Sequence, residues 1–224
     1  MFQTLTAGGR LERHRHAHAY AAVVLAGGYH EAGDRGRFRV RPGEVLIHGP
    51  WESHMDAVSP TGAVVLNLPL ATDLAFGAGR VADPDAVARA AQRDLVEAAV
   101  LLGETTRPLA PAPGDWPDRL ATALRQDPDT ALAAWAAAEG LAPATVSRGF
   151  REAFGVSPRR YRAEQRALMA VRLLLSRDDP PAAAAAELGF VDQAHMTRAV
   201  AALTGLTPGR LRVKWVQSPG AAVV

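Results

Sequence analysis

Six of the seven histidines stand in the first quarter of the chain: His14, His16, His18, His30, His48 and His54. A neutral imidazole offers one donor and one lone pair, so it lines polar pockets or ligates Zn, Fe, Ni or Cu. On an extended strand, residues 14, 16, 18 and 20 share one face. Three imidazoles and the Tyr20 phenol can therefore point into one cavity. His48 and His54 follow around the Pro50-Trp51 turn. With no cysteine in the chain, thiolate metal sites and disulfides are excluded. The histidines leave two chemistries open, a transition-metal site or the hydrogen-bonding wall of a pocket.

A second set of chemistry-bearing residues lies toward the other end. Met196, Val200 and Leu203 recur at i, i+4 and i+7 and make one buried helical face. Gln193, Ala194, His195, Thr197 and Arg198 are left on the opposite face. Asp192 can N-cap this helix, and Gly189 closes the short apolar helix before it. Gln, His, Thr and Arg on a helix that buries its other side suit a DNA major groove, although a solvated surface helix would read the same. Repetition separates the two readings. A shift of 50 residues lays Ser147-Arg148 on Thr197-Arg198, Gly155-Val156-Ser157-Pro158 on Gly205-Leu206-Thr207-Pro208, and Arg160 and Arg162 on Arg210 and Arg212.

The first copy has its own layout. Asp129 or Thr130 can cap a helix with Leu132 and Trp135 inward, and Gly140 ends it. Pro143 starts the next helix, which buries Val146, Phe150 and Phe154 and leaves Ala144, Thr145, Ser147, Arg148 and Arg151 outside. The turn is one residue shorter here: ten residues from Gly140 to Phe150 against eleven from Gly189 to Val200. Between the copies, 158–176 reads as one long helix with Tyr161, Leu168, Val171 and Leu175 at helical spacing. It would set the two reading helices about one DNA turn apart, roughly 34 Å.

Over residues 128–217 these segments resemble the two halves of the AraC/XylS-type DNA-binding domain. Two departures from the family are Val200, where Phe is usual, and Ala194, where Ser is common. Side-chain chemistry suggests roles for the exposed residues on such a domain. Arg148 and Arg198 read guanine or bind phosphate, and Gln193 reads adenine. Ser147, Thr197, Arg160 and Arg210 hold phosphates, His195 does either, and Thr145 and Arg151 complete the interface.

The N-terminal part reads as β. The apolar runs at 20–27, 44–47 and 63–68 are short and separated by Gly, Pro and Asp clusters. Their spacing suits a small barrel or sandwich. His14-x-His16, Tyr20 and Gly27, with 36–54 downstream, resemble the two motifs of the cupin fold. Tyr20 stands where the motif has Glu. In a metal-binding cupin the ligands would be His14, His16 and His54. Glu31 or Glu52 could replace the missing carboxylate, but nothing in the sequence places them. AraC-type cupins usually bind organic effectors without metal, so the expected cofactor is none. The pocket candidates are then His16, His18, Tyr20, His48, Trp51 and His54, a mix suited to a polar or aromatic effector.

Residues 82–103 read as one helix with Asp83 as N-cap and an apolar stripe of Val87, Ala91, Leu95, Ala98 and Leu102. It either pairs across a dimer or packs on its own barrel. Four prolines at 108, 111, 113 and 117 mark a semi-stiff linker, followed by a short helix at 118–125.

The expected fold is therefore α+β and multidomain. A cupin-like barrel (1–80), a helical segment (81–106) and a linker (107–117) precede an all-α double helix-turn-helix domain (118–217). Charge agrees with that division. Residues 1–75 carry 7 Arg and 7 acidic side chains, residues 76–127 carry 6 against 8, and residues 128–224 carry 12 basic against 8 acidic. The positive excess sits where nucleic acid is expected. No leader pattern and no run of about 18 apolar residues occurs, which points to a cytoplasmic protein without a membrane span.

The expected function is sequence-specific binding of double-stranded DNA by a homodimeric transcription regulator controlled by a small-molecule effector. RNA polymerase would be a further partner if it activates. No catalytic constellation stands out, so an enzyme is not expected. Two alternatives are a cupin metal-binding sensor or metalloenzyme fused to a DNA-binding domain, and a barrel that serves only for dimerisation.

Overall fold

The computed structural model describes residues 1–70, 77–109 and 114–217. The chain forms two compact units that part between residues 113 and 114.

The first unit is an antiparallel sheet of eight strands among the described residues. They are β1 (Phe2–Leu5), β2 (Arg10–Arg15), β3 (Tyr20–Gly33), β4 (Gly36–Val40), β5 (Glu44–His48), β6 (Ser53–Pro69), β7 (Ala78–Val81) and β8 (Thr106–Pro108). The path runs β1-β6-β3-β5-β7-β8, with β2 on β6 and β4 on β3. Two long strands carry it: β3 pairs along its length with β6, with register shifts between Val24 and Ala26 and between Gly27 and Tyr29.

Side chains alternate across a strand, and both faces here are covered. Ala21, Val23, Val45, Ile47, Leu66 and Leu68 face a core completed by Val87, Ala90, Ala98 and Leu102. Ala22, Val24, Leu46, Val65 and Tyr29 form a core on the other face. That double coverage is why residues 21–24 read as an unbroken apolar run rather than an alternating one.

Three features depart from the sequence expectations. Residues 82–103 are not one helix but α1 (Pro84–Ala91) and α2 (Leu95–Thr105). Asp94 ends the first by capping the second, its carboxylate accepting from the Val96 and Glu97 amides. Nor is β confined to residues 1–80: β8 pairs with β7 after both helices, so Arg107 and Pro108 belong to the sheet rather than to a linker. Pro117 lies within a helix, while the linker's central residues 110–113 lie outside the described residues. Finally, β2 stops at Arg15 and β3 begins at Tyr20, so His14 to Tyr20 do not form one strand.

The second unit is helical: α3 (Trp116–Gln126), α4 (Leu132–Ala138), α5 (Pro143–Phe154), α6 (Pro158–Ser176), α7 (Pro181–Glu187), α8 (Gln193–Thr204) and α9 (Pro208–Gln217). α6 is its axis, in contact with α3, α5, α7, α8 and α9. α4 has no side-chain cap; its N-cap is Ala131. Asp127 instead builds the preceding turn by accepting the Asp129 amide at 2.8 Å and, through its carbonyl, the Thr130 hydroxyl at 2.7 Å.

Candidate nucleic-acid interface and ligand cavity

The two copies of the repeat fold alike. Each has a short helix, a left-handed glycine (Gly140 at φ 68°, Gly189 at φ 67°) and a second helix. Four residues separate α4 from α5 and five separate α7 from α8, matching the one-residue difference in the sequence. Both second helices end on a left-handed C-cap, Gly155 or Gly205, whose amide bonds back to the Arg151 or Ala201 carbonyl. Only a residue without Cβ adopts that conformation cheaply.

The inner faces are as expected, with Val146, Phe150 and Phe154 buried on α5 and Met196, Val200 and Leu203 buried on α8. Phe150 stacks on Phe154 at 4.7 Å, and both meet Tyr161 of α6 at 5.3 and 5.4 Å. The Tyr161 hydroxyl in turn accepts from Arg125 of α3 at 3.1 Å. By the 50-residue shift the second copy has Val200, Thr204 and Leu211 at these three places. Thr204 turns its hydroxyl to the Val200 and Leu206 carbonyls at 2.8 and 3.1 Å.

On the outer faces Thr145, Ser147, Arg148 and Arg151 of α5 are exposed, as are Gln193 and Arg198 of α8 and Arg210 of α9. Arg148, Arg151, Arg198 and Arg210 have no ion pair among the described residues. Thr197 is half-buried. His195 is also half-buried and sits edge-on to Phe190 at 5.2 Å. Arg160 is held by Glu164 one turn on, at 3.0 Å. Asp192 accepts the His195 amide at 2.6 Å and caps α8, whereas α5 starts at Ala142 without a side-chain cap. Arg212, the partner of Arg162 in the repeat, turns inward. Its guanidinium donates to the carbonyls of Leu174, Arg177 and Asp179 at 2.9, 3.0 and 2.7 Å, fixing α9 to the end of α6.

In the first unit a cavity of about 550 Å³ is lined by His14, His16, His18, Tyr20, His48 and His54. Leu5, Leu11, Tyr29, Val65 and Leu95 supply apolar wall, and Glu31 and Asp56 lie at its base. Trp51 is not part of the lining. It is buried at a left-handed φ of 57°, and its amide donates to the His16 carbonyl at 2.7 Å. That bond holds the corner at residues 16–19, which carries His16 and His18 to the cavity, while His14 reaches it from β2, across from His54. His30 is exposed.

Sheet register builds the base. Tyr20 lies across from His48, Glu31 from Asp56, and Gly33 from His54. A Cβ at Gly33 would come within 2.8 Å of the Ser53 carbonyl oxygen and 2.9 Å of the His54 Cβ, so glycine lets β6 approach and seat His54. The other buried acids are committed elsewhere. Glu52 accepts from Arg35 at 2.6 Å and from the Gly49 amide at 2.7 Å, and Asp34 accepts from Arg13 at 2.6 Å and the Ser53 amide at 2.7 Å. Of the two acids the sequence offered, Glu31 and not Glu52 stands beside His48 and His54, and Asp56 joins it there.

Electrostatics divide the histidines. Burial, reinforced by the His54 charge, holds His48 well below the usual imidazole range, so it is neutral. His16 is lowered for the same two reasons. Burial also opposes protonation of His54, but Asp56 and Glu31 beside it raise it to about 10. Burial pushes Glu31 up to about 7, against the pull of His54. Tyr20, raised by burial, remains a neutral phenol; its hydroxyl lies 3.0 Å from His54 Nε2.

Residues 135–214 match the helix-turn-helix domain family. No curated protein matches the chain. Solved structures similar to it include the C-terminal domain of AraT, a response regulator from Geobacillus stearothermophilus, at 23% identity over 44% of this chain and 84% of that one, with a TM-score of 0.41. A probable AraC family transcriptional regulator from Rhodopseudomonas palustris aligns at 19% identity over 42% and 92%, TM-score 0.40. Unsaturated fatty acid bound ToxT from Vibrio cholerae aligns at 8% identity over 94% and 93%, TM-score 0.44. Among the described residues, no helix is long and apolar enough to cross a membrane.

Proposed function

We propose that this chain, whose residues 135–214 form an AraC-type helix-turn-helix domain, is a transcription regulator that reads double-stranded DNA with α5 and α8 under the control of a small-molecule effector. The observation that carries the reading is the duplicated helix. Each copy buries one face and closes on a left-handed glycine. Each also exposes an arginine at the corresponding place, Arg148 or Arg198. Arg148, Ser147 and Thr145 face one half-site, and Arg198, Gln193 and Thr197 the other. Arg151, Arg160 and Arg210 add phosphate contacts, which position the protein without specifying sequence. His195 braces α8 through Phe190 and reaches the groove only at its edge.

The cavity supports the effector part of the reading. Its volume suits one small molecule, and imidazoles at one end with aliphatic walls at the other suit a polar or aromatic ligand with an apolar portion. Leu95, the first residue of α2, lines it. One and five residues on, Val96 and Val100 are 70% and 56% exposed. That apolar face supports a homodimer contact on the helix that begins in the effector's wall.

The test is an operator selected from random duplexes, followed by gel shift at physiological salt with Arg198→Ala and Arg148→Ala. A bidentate arginine–guanine contact is worth about 1–3 kcal/mol, so each variant should bind about tenfold or more weakly and lose discrimination in its own half-site. Unchanged affinity for both overturns the assignment of α5 and α8.

A further inference from the structure

We propose that Glu31, His48, His54 and Asp56, at the base of the N-terminal cavity, form a site for one divalent first-row transition-metal ion. All four are buried, with 5, 4, 5 and 8% of their surface exposed. Each turns a polar atom inward that has no hydrogen-bond partner in the chain: Glu31 Oε2, His48 Nε2, His54 Nδ1 and Asp56 Oδ1. Native interiors leave few such atoms, because each unsatisfied buried group costs about 1–3 kcal/mol. Three of them, on Glu31, His48 and His54, lie close enough together for one ion to reach all three.

The separations say what kind of partner. Glu31 Oε2 lies 3.4 Å from His48 Nε2 and 3.5 Å from His54 Nδ1, and His54 Nδ1 lies 3.6 Å from Asp56 Oδ1. These exceed the hydrogen-bond range. A metal with bonds of about 2.0–2.2 Å sets its donors about 3.3–3.6 Å apart; the ligand atoms of Glu31, His48 and His54 all lie within 4.8 Å of one another, and Asp56 joins them through His54. Charge points the same way. Register sets Glu31 directly across from Asp56, and like charges so placed repel. A dication between two carboxylates and two neutral imidazoles leaves the site neutral. With Nδ1 on the ion, His54 carries its proton on Nε2 and donates it to the Tyr20 hydroxyl, the outer bond that orients a metal-ligating histidine. Imidazole and carboxylate together suit Zn²⁺, Fe²⁺, Co²⁺ or Ni²⁺ rather than Cu⁺ or Ca²⁺.

This is not the His-x-His set. The ligand atoms of His14, His16 and His54 also lie within 4.8 Å of one another, but His14 Nδ1 donates to the Glu12 carbonyl at 2.8 Å and His16 is exposed. Both reach His54 from the cavity side, whereas the unpartnered Nδ1 faces Glu31 and Asp56. A water molecule, with two donors and two acceptors, is the competing occupant. The inference stands on the first unit alone, so its failure and a failure of DNA reading are separate results.

The experiment uses the full chain, stripped with chelator. Zn²⁺ is titrated by calorimetry, and Co²⁺ by its visible absorption. The expected result is one equivalent per chain. Glu31→Gln and Asp56→Asn each weaken it by more than about 100-fold, beyond the range for losing an outer partner. His14→Ala with His16→Ala leaves affinity within about threefold. X-ray absorption of the zinc-loaded wild-type chain should count two imidazoles, a reading that needs no variant to fold. Absence of saturable binding, or binding unmoved by Glu31→Gln and Asp56→Asn, gives the place to water and overturns the proposal. A count of three imidazoles, or loss only in the His14/His16 variant, moves the ion to the outer set and overturns it equally.

Discussion

Asp192 offers a test of the two-headed reading that affects one head only. Its carboxylate accepts the His195 amide at 2.6 Å and is the sole side-chain cap at the start of α8. α5 has no counterpart: Ala142 caps nothing, and Pro143 at the first position has no amide to satisfy. Replacing an aspartate cap with alanine costs about 1 kcal/mol. That cost falls on the first turn of α8, which carries Gln193 and leads to Arg198. If the turn must be ordered to enter the groove, the full cost appears in binding, about fivefold at 1.4 kcal/mol per decade. Asp192→Asn separates capping from charge. Asparagine caps about as well, and losing a carboxylate beside DNA phosphates favours binding. The expected affinity order is therefore Asn at or above wild type, and Ala about fivefold below. Quantitative footprinting at fixed salt on a two-half-site operator should show the loss in one half-site. Equal loss in both half-sites for Asp192→Ala, or none in either, refutes the claim that α8 independently reads DNA.

The helical unit yields two further tests. Phe150→Ala removes a fully buried ring packed on Phe154 and Tyr161 and should cost about 3–5 kcal/mol, read as a lower urea midpoint for the tryptophan fluorescence of Trp116 and Trp135. Arg212→Ala strands the Leu174, Arg177 and Asp179 carbonyls. It should destabilise by about 2–3 kcal/mol, since a bond to a charged donor is worth about 1.5–3 and the three are not additive. Arg212→Lys should not restore it, because an ammonium lacks the planar fork that reaches three acceptors; amide exchange in α9 is the readout.

What the sequence revealed of the helical unit is local. Pro143, Pro158, Asp192, Gly155 and Gly205 act within a turn of where they stand, so helix ends follow from them directly. Helical spacing predicted the buried faces of α5 and α8 for the same reason. The break between α1 and α2 was also visible, in Asp94 followed three residues later by Glu97, but the apolar stripe from Val87 to Leu102 runs through it and masks the cap. β8 carried no such sign. Three residues containing a proline read as linker, and only their pairing with β7, across two intervening helices, makes them strand.

The cavity was legible in composition and opaque in geometry. A cluster of imidazoles near Tyr20 announces polar chemistry but not which atoms meet. His14 and His16 look like the centre because they are adjacent in sequence. In the fold they sit toward the opening, and the buried centre gathers residues 31, 48, 54 and 56 from three strands. Each joins through long-range register, Glu31 across from Asp56 and His48 across from Tyr20. A one-residue slip of β3 on β6 would send Glu31 to the other face. The register shifts between Val24 and Tyr29 therefore decide which carboxylate the histidines face. Bulges absorb an extra residue and re-aim the side chains beyond them, and Glu31 lies two residues past the second of these irregularities. In the proposed site the acid missing at Tyr20 comes from further along the same strand, while Tyr20 itself is the partner of His54. The two changes belong together: a phenol that hydrogen-bonds His54 Nε2 leaves Nδ1 turned to the two carboxylates, where the chain has placed four buried polar atoms and no bond among them.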